Sequence, residues 1–245
     1  MENWYKTWFA SDEYPEVYSH RDTGDALLLT ELILKETRLN KNLYILDAAC
    51  GNGRYSNLLS FRGYKIAGFD LSLPLLRTAK SDSDSEGASS LFVNADIRRP
   101  CFKIKFGAVL NLFTSFGYFE SDFENFKFIN DSVSFLDDEG CFIFDYFNAD
   151  FIKSNLISES FRKTYDSRIR ELREIKNDRI IKKIIIEKDG FVKEFIESVR
   201  LYDNEEILEG FSKAGYKAEK LFGNYHGKKF RRDESQRFIG FFRKC

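Results

Sequence analysis

The stretch YILDAACGNGRYS, residues 44–56, restricts this chain more than any other. A short apolar run ends at two glycines one residue apart, and a helical pattern follows. Open α/β sheets use this strand, tight turn and helix to hold nucleotide-like ligands at the carboxyl ends of their strands. Gly51 and Gly53 carry no Cβ, so the backbone can turn sharply and approach a ligand, while the helix start offers unpaired N–H groups. Ser56 stands where a dinucleotide fingerprint has its third glycine. A glycine pair also occurs in ordinary strand-to-helix turns, so corroboration has to come from later strand ends.

From residue 43 the chain alternates LYILDAA, NLLSFRG, YKIAGFD, LPLLRTAK, SLFVNAD, GAVLNLF, ENFKFINDSVSFL and CFIFDYF. Strands separated by short helices predict right-handed crossovers and a mostly parallel, Rossmann-like doubly wound sheet covered on both faces. An amphipathic run from Asp25, ALLLTELILKET, predicts a helix packed on that sheet, and SDSDSEGASS a flexible surface loop. The second strand ends at Asp70, about 17 residues beyond Gly53, where a carboxylate can accept from two ribose hydroxyls. The third ends in Asn94-Ala95-Asp96-Ile97, and a carboxylate there can accept from an adenine amino group.

After residue 150 the rhythm changes. Three long β-prone segments, separated by turn signals at Asn177-Asp178 and Asp189-Gly190, predict a small antiparallel sheet inserted over residues 160–202. Asp203 is placed to cap a helix ended by Gly215, and YKAEKLF and RFIGFFR read as two last strands. A chain of 245 residues accommodates all this around one core, a single domain over 1–245 with residues 1–24 as an aromatic, acidic N-terminal segment. The 38 basic and 39 acidic residues nearly cancel, which argues for a small partner rather than nucleic acid or an anionic membrane. No paired cysteine spacing, no basic start followed by an apolar run and no apolar stretch of about 18 residues are visible. The expectation is a cytoplasmic protein with reduced thiols. With only two histidines, His20 and His226, no metal site is expected.

The motifs ILDAACGNG, GFDLS, NADI and VLNLFTSFGYF resemble those of the class I S-adenosylmethionine-dependent methyltransferases, and the resemblance extends to RDESQRFIGFFRK. It implies a seven-stranded sheet of order 3-2-1-4-5-7-6 with the seventh strand antiparallel, and S-adenosylmethionine as cofactor. Ala49, where many members have glycine, Gly51 and Gly53 would lie along its methionine part. Asp70 and Leu71 would hold the ribose end, and Asp96 with the Ile97 backbone the adenine. The Leu112 carbonyl would accept from the cofactor's amino group; Phe113, Thr114 and Tyr118 would approach the methyl, with Tyr118 orienting an acceptor or taking its proton. The absent third glycine fits this cofactor, which has no pyrophosphate, and speaks against a dinucleotide oxidoreductase.

EYPEVYSHRD further resembles the lid of a small-molecule subgroup that includes enzymes dimethylating amino sugars and methylating glycine. By that likeness Tyr14 and Tyr18 cover the cofactor, and Arg21 or His20 meets its carboxylate. The insertion would roof the acceptor site or join two subunits, giving a monomer or a homodimer, and Tyr225 and His226 could reach the rim. Asn111-Leu112-Phe113 lacks the prolines of base-amino methyltransferases. The function expected is methyl transfer to a nitrogen or oxygen of a small molecule; the alternatives are a non-catalytic cofactor-binding regulator and a protein or nucleic-acid methyltransferase.

Overall fold

The computed structural model describes residues 3–19, 23–85 and 87–245, with Thr23 described by its backbone alone. His20 and Arg21 therefore lie outside the described residues. Helices α1 (Trp4–Trp8), α2 (Glu13–Val17) and α3 (Thr23–Glu36) precede an alternating series. The series runs β1 (Tyr44–Ala48), α4 (Arg54–Phe61), β2 (Lys65–Asp70), α5 (Leu73–Ser85), β3 (Leu91–Asn94), β4 (Phe106–Asn111), α6 (Asp122–Ser132) and β5 (Leu136–Phe147). Then come α7 (Ala149–Ser154), β6 (Glu159–Lys163), β7 (Ser167–Lys176), β8 (Arg179–Lys188), β9 (Phe191–Arg200), α8 (Asn204–Lys213), β10 (Tyr216–Phe222) and β11 (Arg237–Lys244).

The main sheet has the order β3-β2-β1-β4-β5-β11-β10. Strands β1 to β5 pair in parallel, and β11 runs antiparallel to both of its neighbours. Counted within this sheet, that is the order 3-2-1-4-5-7-6. Its central strands are apolar because both faces are covered: Ile45, Leu46, Val109, Leu110, Phe142 and Phe144 are all buried. One face packs under α6 and α8 in a phenylalanine-rich layer, where the rings of Phe211 and Phe242 stack 3.7 Å apart. The other face packs under α3 and α4 through Leu29, Ile33 and Leu59. Strand order reverses between β1 and β4, so their carboxyl ends flank the crevice in which such sheets bind ligands.

The insertion is a second sheet of order β6-β7-β8-β9, one strand more than the sequence suggests. Its hairpins turn where expected, with Asn177, Asp178, Asp189 and Gly190 all at positive φ. Helices α1 and α2 pack on its inner face, and Trp8 and Val17 with Ile169, Ile184 and Ile186 make a third apolar cluster. Asp203 caps α8 reciprocally with Glu206, and Gly215 follows the helix at φ 87°.

The expected loop SDSDSEGASS is corrected in its first half, because α5 continues to Ser85. Leu75, Leu76, Ala79 and Ser83 form one buried helical face, and Ser83 is small enough to pack there while accepting from the Ser90 amide. Lys80 and Asp84 add an exposed pair one turn apart. Polar composition had masked the helical period. No helix among the described residues is long and apolar enough to cross a membrane.

Candidate cofactor and acceptor cleft

The turn after β1 is left-handed at three positions, Ala49 (φ 56°), Gly51 (φ 55°) and Gly53 (φ 73°). The two glycines do different work. A Cβ on Gly51 would meet nothing nearer than Leu75 Cδ1 at 4.0 Å, so Gly51 faces open cleft. A Cβ on Gly53 would lie 2.8 Å from Ala79 Cβ and 3.0 Å from the Phe92 ring. Gly53 therefore lets α4 start tightly against α5 and β3, and it does not line the cleft.

Ser56 is buried, and its hydroxyl donates to Asp47 Oδ2 at 2.6 Å. Burial pushes the Asp47 carboxyl up to about 6; the Ser56 bond opposes that shift and the nearby Asp70 charge adds to it. Asp70 itself accepts from the Gly51 amide at 2.9 Å and the Ser72 amide at 2.7 Å. Burial raises its pKa and these amides oppose the rise. Asp96 accepts from the Arg98 amide and pairs with the Arg98 guanidinium at 2.7 Å. Burial would raise Asp96, but the Arg98 bonds outweigh it and hold the carboxyl below its ordinary value. Arg98 is anchored on its other side by Glu124 at 2.8 Å.

At the end of β4 the backbone is strained. Phe113 (φ 55°) and Thr114 (φ 64°) are consecutive non-glycine residues in the left-handed region, at about 1–3 kcal/mol each. Asp145 on β5, fully buried, holds both: its Oδ2 accepts from the Phe113 amide at 3.0 Å and its carbonyl from the Thr114 amide at 2.9 Å. Arg237 on β11 balances the charge with Nε 2.9 Å and Nη2 2.8 Å from Asp145 Oδ1, and reaches Thr114 Oγ1 at 3.1 Å. Tyr225 donates to Asp145 Oδ2 at 3.1 Å. The Leu112 carbonyl, meanwhile, accepts from the Ser115 hydroxyl at 2.9 Å.

Helices α1 and α2 and the second sheet lie over this space. The Tyr118 ring lies against Trp4 (5.2 Å between centroids), Phe9 (5.7 Å) and Tyr5 (6.4 Å). Its backbone is fixed from the insertion, because Arg179 donates to the carbonyls of Tyr118 and Phe119 at 3.1 and 3.0 Å. Tyr14 and Tyr18 pack edge to face, and the Tyr18 hydroxyl is hydrogen-bonded to both Glu197 and Lys182. Lys182 pairs with Glu197 at 2.6 Å, and the Trp8 indole donates to the same carboxylate at 2.7 Å.

A cavity of about 700 Å³ lies between these parts. Its floor is Ala49, Gly51, Asp70, Leu71, Asp96 and Ile97; its far wall is Leu112, Phe113 and Tyr118, and its cover includes Tyr14 and Tyr18. The structure thus brings together every described candidate except Gly53, Tyr225 and His226, which do not line the cavity. Missed from the sequence were Asp47, Arg173, Lys182, Glu197 and Arg237, which also line it. Among the described residues no cluster of His, Cys, Asp or Glu could hold a metal ion. The residues fit S-adenosylmethionine by their chemistry: Asp47, Asp70 and Asp96 line the cavity at or next to the carboxyl ends of β1, β2 and β3, and could accept from ribose hydroxyls and balance an ammonium or a sulfonium.

Residues 45–140 match the family described as "Methyltransferase domain". No curated protein matches the chain. Among solved structures, the CcbJ methyltransferase from Streptomyces caelestis is 14% identical with a TM-score of 0.83, over 98% of this chain and 99% of that one. An S-adenosylmethionine-dependent methyltransferase from Clostridium acetobutylicum is 19% identical with a TM-score of 0.79, over 99% of each chain. An amino pentose methyltransferase from Micromonospora echinaspora is 16% identical with a TM-score of 0.69, over 94% of this chain and 97% of that one. At these identities the likeness is one of fold. Residues 45–140 match a methyltransferase domain, and the chain as a whole has the fold of S-adenosylmethionine-dependent methyltransferases.

Proposed function

We propose that the protein moves a methyl group to a nitrogen or oxygen of a small molecule held between the lid and the inserted sheet. One observation carries this reading. The glycine turn, the three strand-end carboxylates and Tyr118 all face a single cavity whose cover is built from α1, α2, β8 and β9. A cleft of this size admits a metabolite-sized acceptor, and the near-zero net charge of the chain favours a small partner over a phosphate backbone.

S-adenosylmethionine supplies an electrophilic methyl carbon, and its transfer is an in-line displacement by an acceptor lone pair. Alignment and exclusion of water are then the protein's main contributions. Gly51 gives close approach, Asp70 and Asp96 hold the ribose and adenine ends, and Phe113 packs at the methyl-donor end. Tyr14 and Tyr18 cover the cleft. Tyr118 orients the acceptor or receives its proton.

The acceptor wall favours a hydroxylated amine. Trp4, Phe9 and Tyr118 offer aromatic faces to the cavity, and Arg173, Lys182 and Glu197 offer charged donors and acceptors. The likeness in fold to an amino pentose methyltransferase supports the same class. Isothermal titration with S-adenosylmethionine and its demethylated product, followed by labelled methyl transfer to a panel of amino sugars and simple amines, tests the reading. Binding of both and a labelled amine are expected. No binding of either overturns it, and binding without any methylated product from a cell extract points to a non-catalytic regulator.

A further inference from the structure

We infer that Asp145 and Tyr225, with the cavity-lining Arg237, are positioning residues for the methyl-donor end of the cleft, holding Phe113 and Thr114 in the backbone shape that lines it. The inference rests on the function proposed above. Two successive left-handed residues with full side chains do not keep that shape unaided, since each clashes with its own carbonyl neighbourhood. Asp145 spends its carbonyl and one carboxylate oxygen on the two amides of this turn, at 2.9 and 3.0 Å. Its other oxygen is taken by Arg237, whose Nη2 also reaches Thr114 Oγ1, and Tyr225 adds a second donor to Oδ2. A buried carboxylate with four such donors has one arrangement available, and it sits on β5 and β11, the antiparallel pair beside β4.

Asp145 and Tyr225 do not line the cavity. They can influence a bound cofactor only through the turn and through Arg237, which lines the cavity, and this makes them positioning and not catalytic residues. All three lie beyond residue 140, outside the segment that matches the methyltransferase domain. The donor end of the cleft is therefore finished by the C-terminal part of the chain.

The test compares Tyr225→Phe, Arg237→Lys and Asp145→Asn with the unaltered protein, by isothermal titration with S-adenosylmethionine well below each variant's melting temperature. The dissociation constant should rise roughly threefold to tenfold for Tyr225→Phe and roughly tenfold or more for the other two, in proteins that remain folded at the titration temperature. Wild-type affinity in folded variants overturns the role, as does a Tyr225→Phe protein that melts earlier but binds unchanged. If the Arg237 and Asp145 variants fail to fold, Tyr225→Phe decides alone. Unaltered protein that binds no S-adenosylmethionine overturns the proposed function itself, and the positioning role with it.

Discussion

Ser56 and Asp47 are joined by a 2.6 Å hydrogen bond inside the first strand-turn-helix unit, so the residue in place of a fingerprint glycine steadies a carboxylate of the cofactor cleft. With its pKa near 6, Asp47 titrates in an accessible range. The folded value is raised above the ordinary 3.8, so the folded state holds the proton more tightly. This group's stabilising effect is full below the ordinary range and is lost as pH rises through about 6. A cationic ligand needs the opposite, ionised form. Affinity for S-adenosylmethionine should therefore weaken roughly tenfold from pH 7.5 to pH 5, because only about a tenth of Asp47 is then ionised. Ser56→Ala removes an opposing hydrogen bond and should move the onset to higher pH. Titration calorimetry across this range checks both, and a flat profile contradicts them.

Gly53→Ala should destabilise the fold while leaving the cleft's chemistry in place. The added methyl meets Ala79 and Phe92 at 3.0 Å or less, at a φ that alanine adopts poorly. A cost of about 2–4 kcal/mol is expected, read as a fall in melting temperature of roughly 5–15 °C. Gly51→Ala has the same φ penalty but open space, and should cost less stability and more cofactor affinity.

Lys182→Met should loosen the lid. Lys182 lies between Glu171 and Glu197 and over the Tyr18 ring, 4.7 Å from its centroid. Without the ammonium, two carboxylates face each other and Tyr18 loses one of its tethers. Hydrogen exchange at Trp4 to Val17 should accelerate about tenfold, while the amides of β1 and β4 keep their protection. Equal acceleration in both regions would mean general destabilisation.

Tyr118→Phe should preserve both the fold and cofactor binding, because the ring keeps its aromatic neighbours and Arg179 still holds the backbone carbonyl. Turnover on an acceptor identified in the product screen should fall by about 100-fold or more. Unchanged turnover would make Tyr118 a packing residue.

Strand order and the glycine turn were legible because buried parallel strands read as apolar runs, and a close backbone approach demands glycine. Asp70 and Asp96 were legible by their places at strand ends. The Asp145–Arg237 pair was not, since 92 residues separate partners that meet only when β11 inserts beside β5. Lys182 and Glu197 stand in no motif of the sequence; the packing of α1 and α2 over the second sheet turns them into cleft wall. The serine-rich end of α5 hid its period because a small polar residue, Ser83, occupies an apolar position. Short helices α1 and α2 gave no periodic signal, being five residues each and dependent on the second sheet.

The apolar cluster shared by Trp8, Val17, Ile169, Ile184 and Ile186 has a consequence for biosynthesis. Trp8 leaves the ribosome about 160 residues before Ile169, which at ordinary elongation rates is a wait of roughly 10–30 s. Through that interval β1 to β5 can assemble, while Trp8 and Val17 still lack the three isoleucines that bury them, though Trp4 and Phe9 already have Tyr118 to pack on. The roof is therefore completed only after the floor is laid, and a nascent chain holds its floor only partly covered until the second sheet arrives.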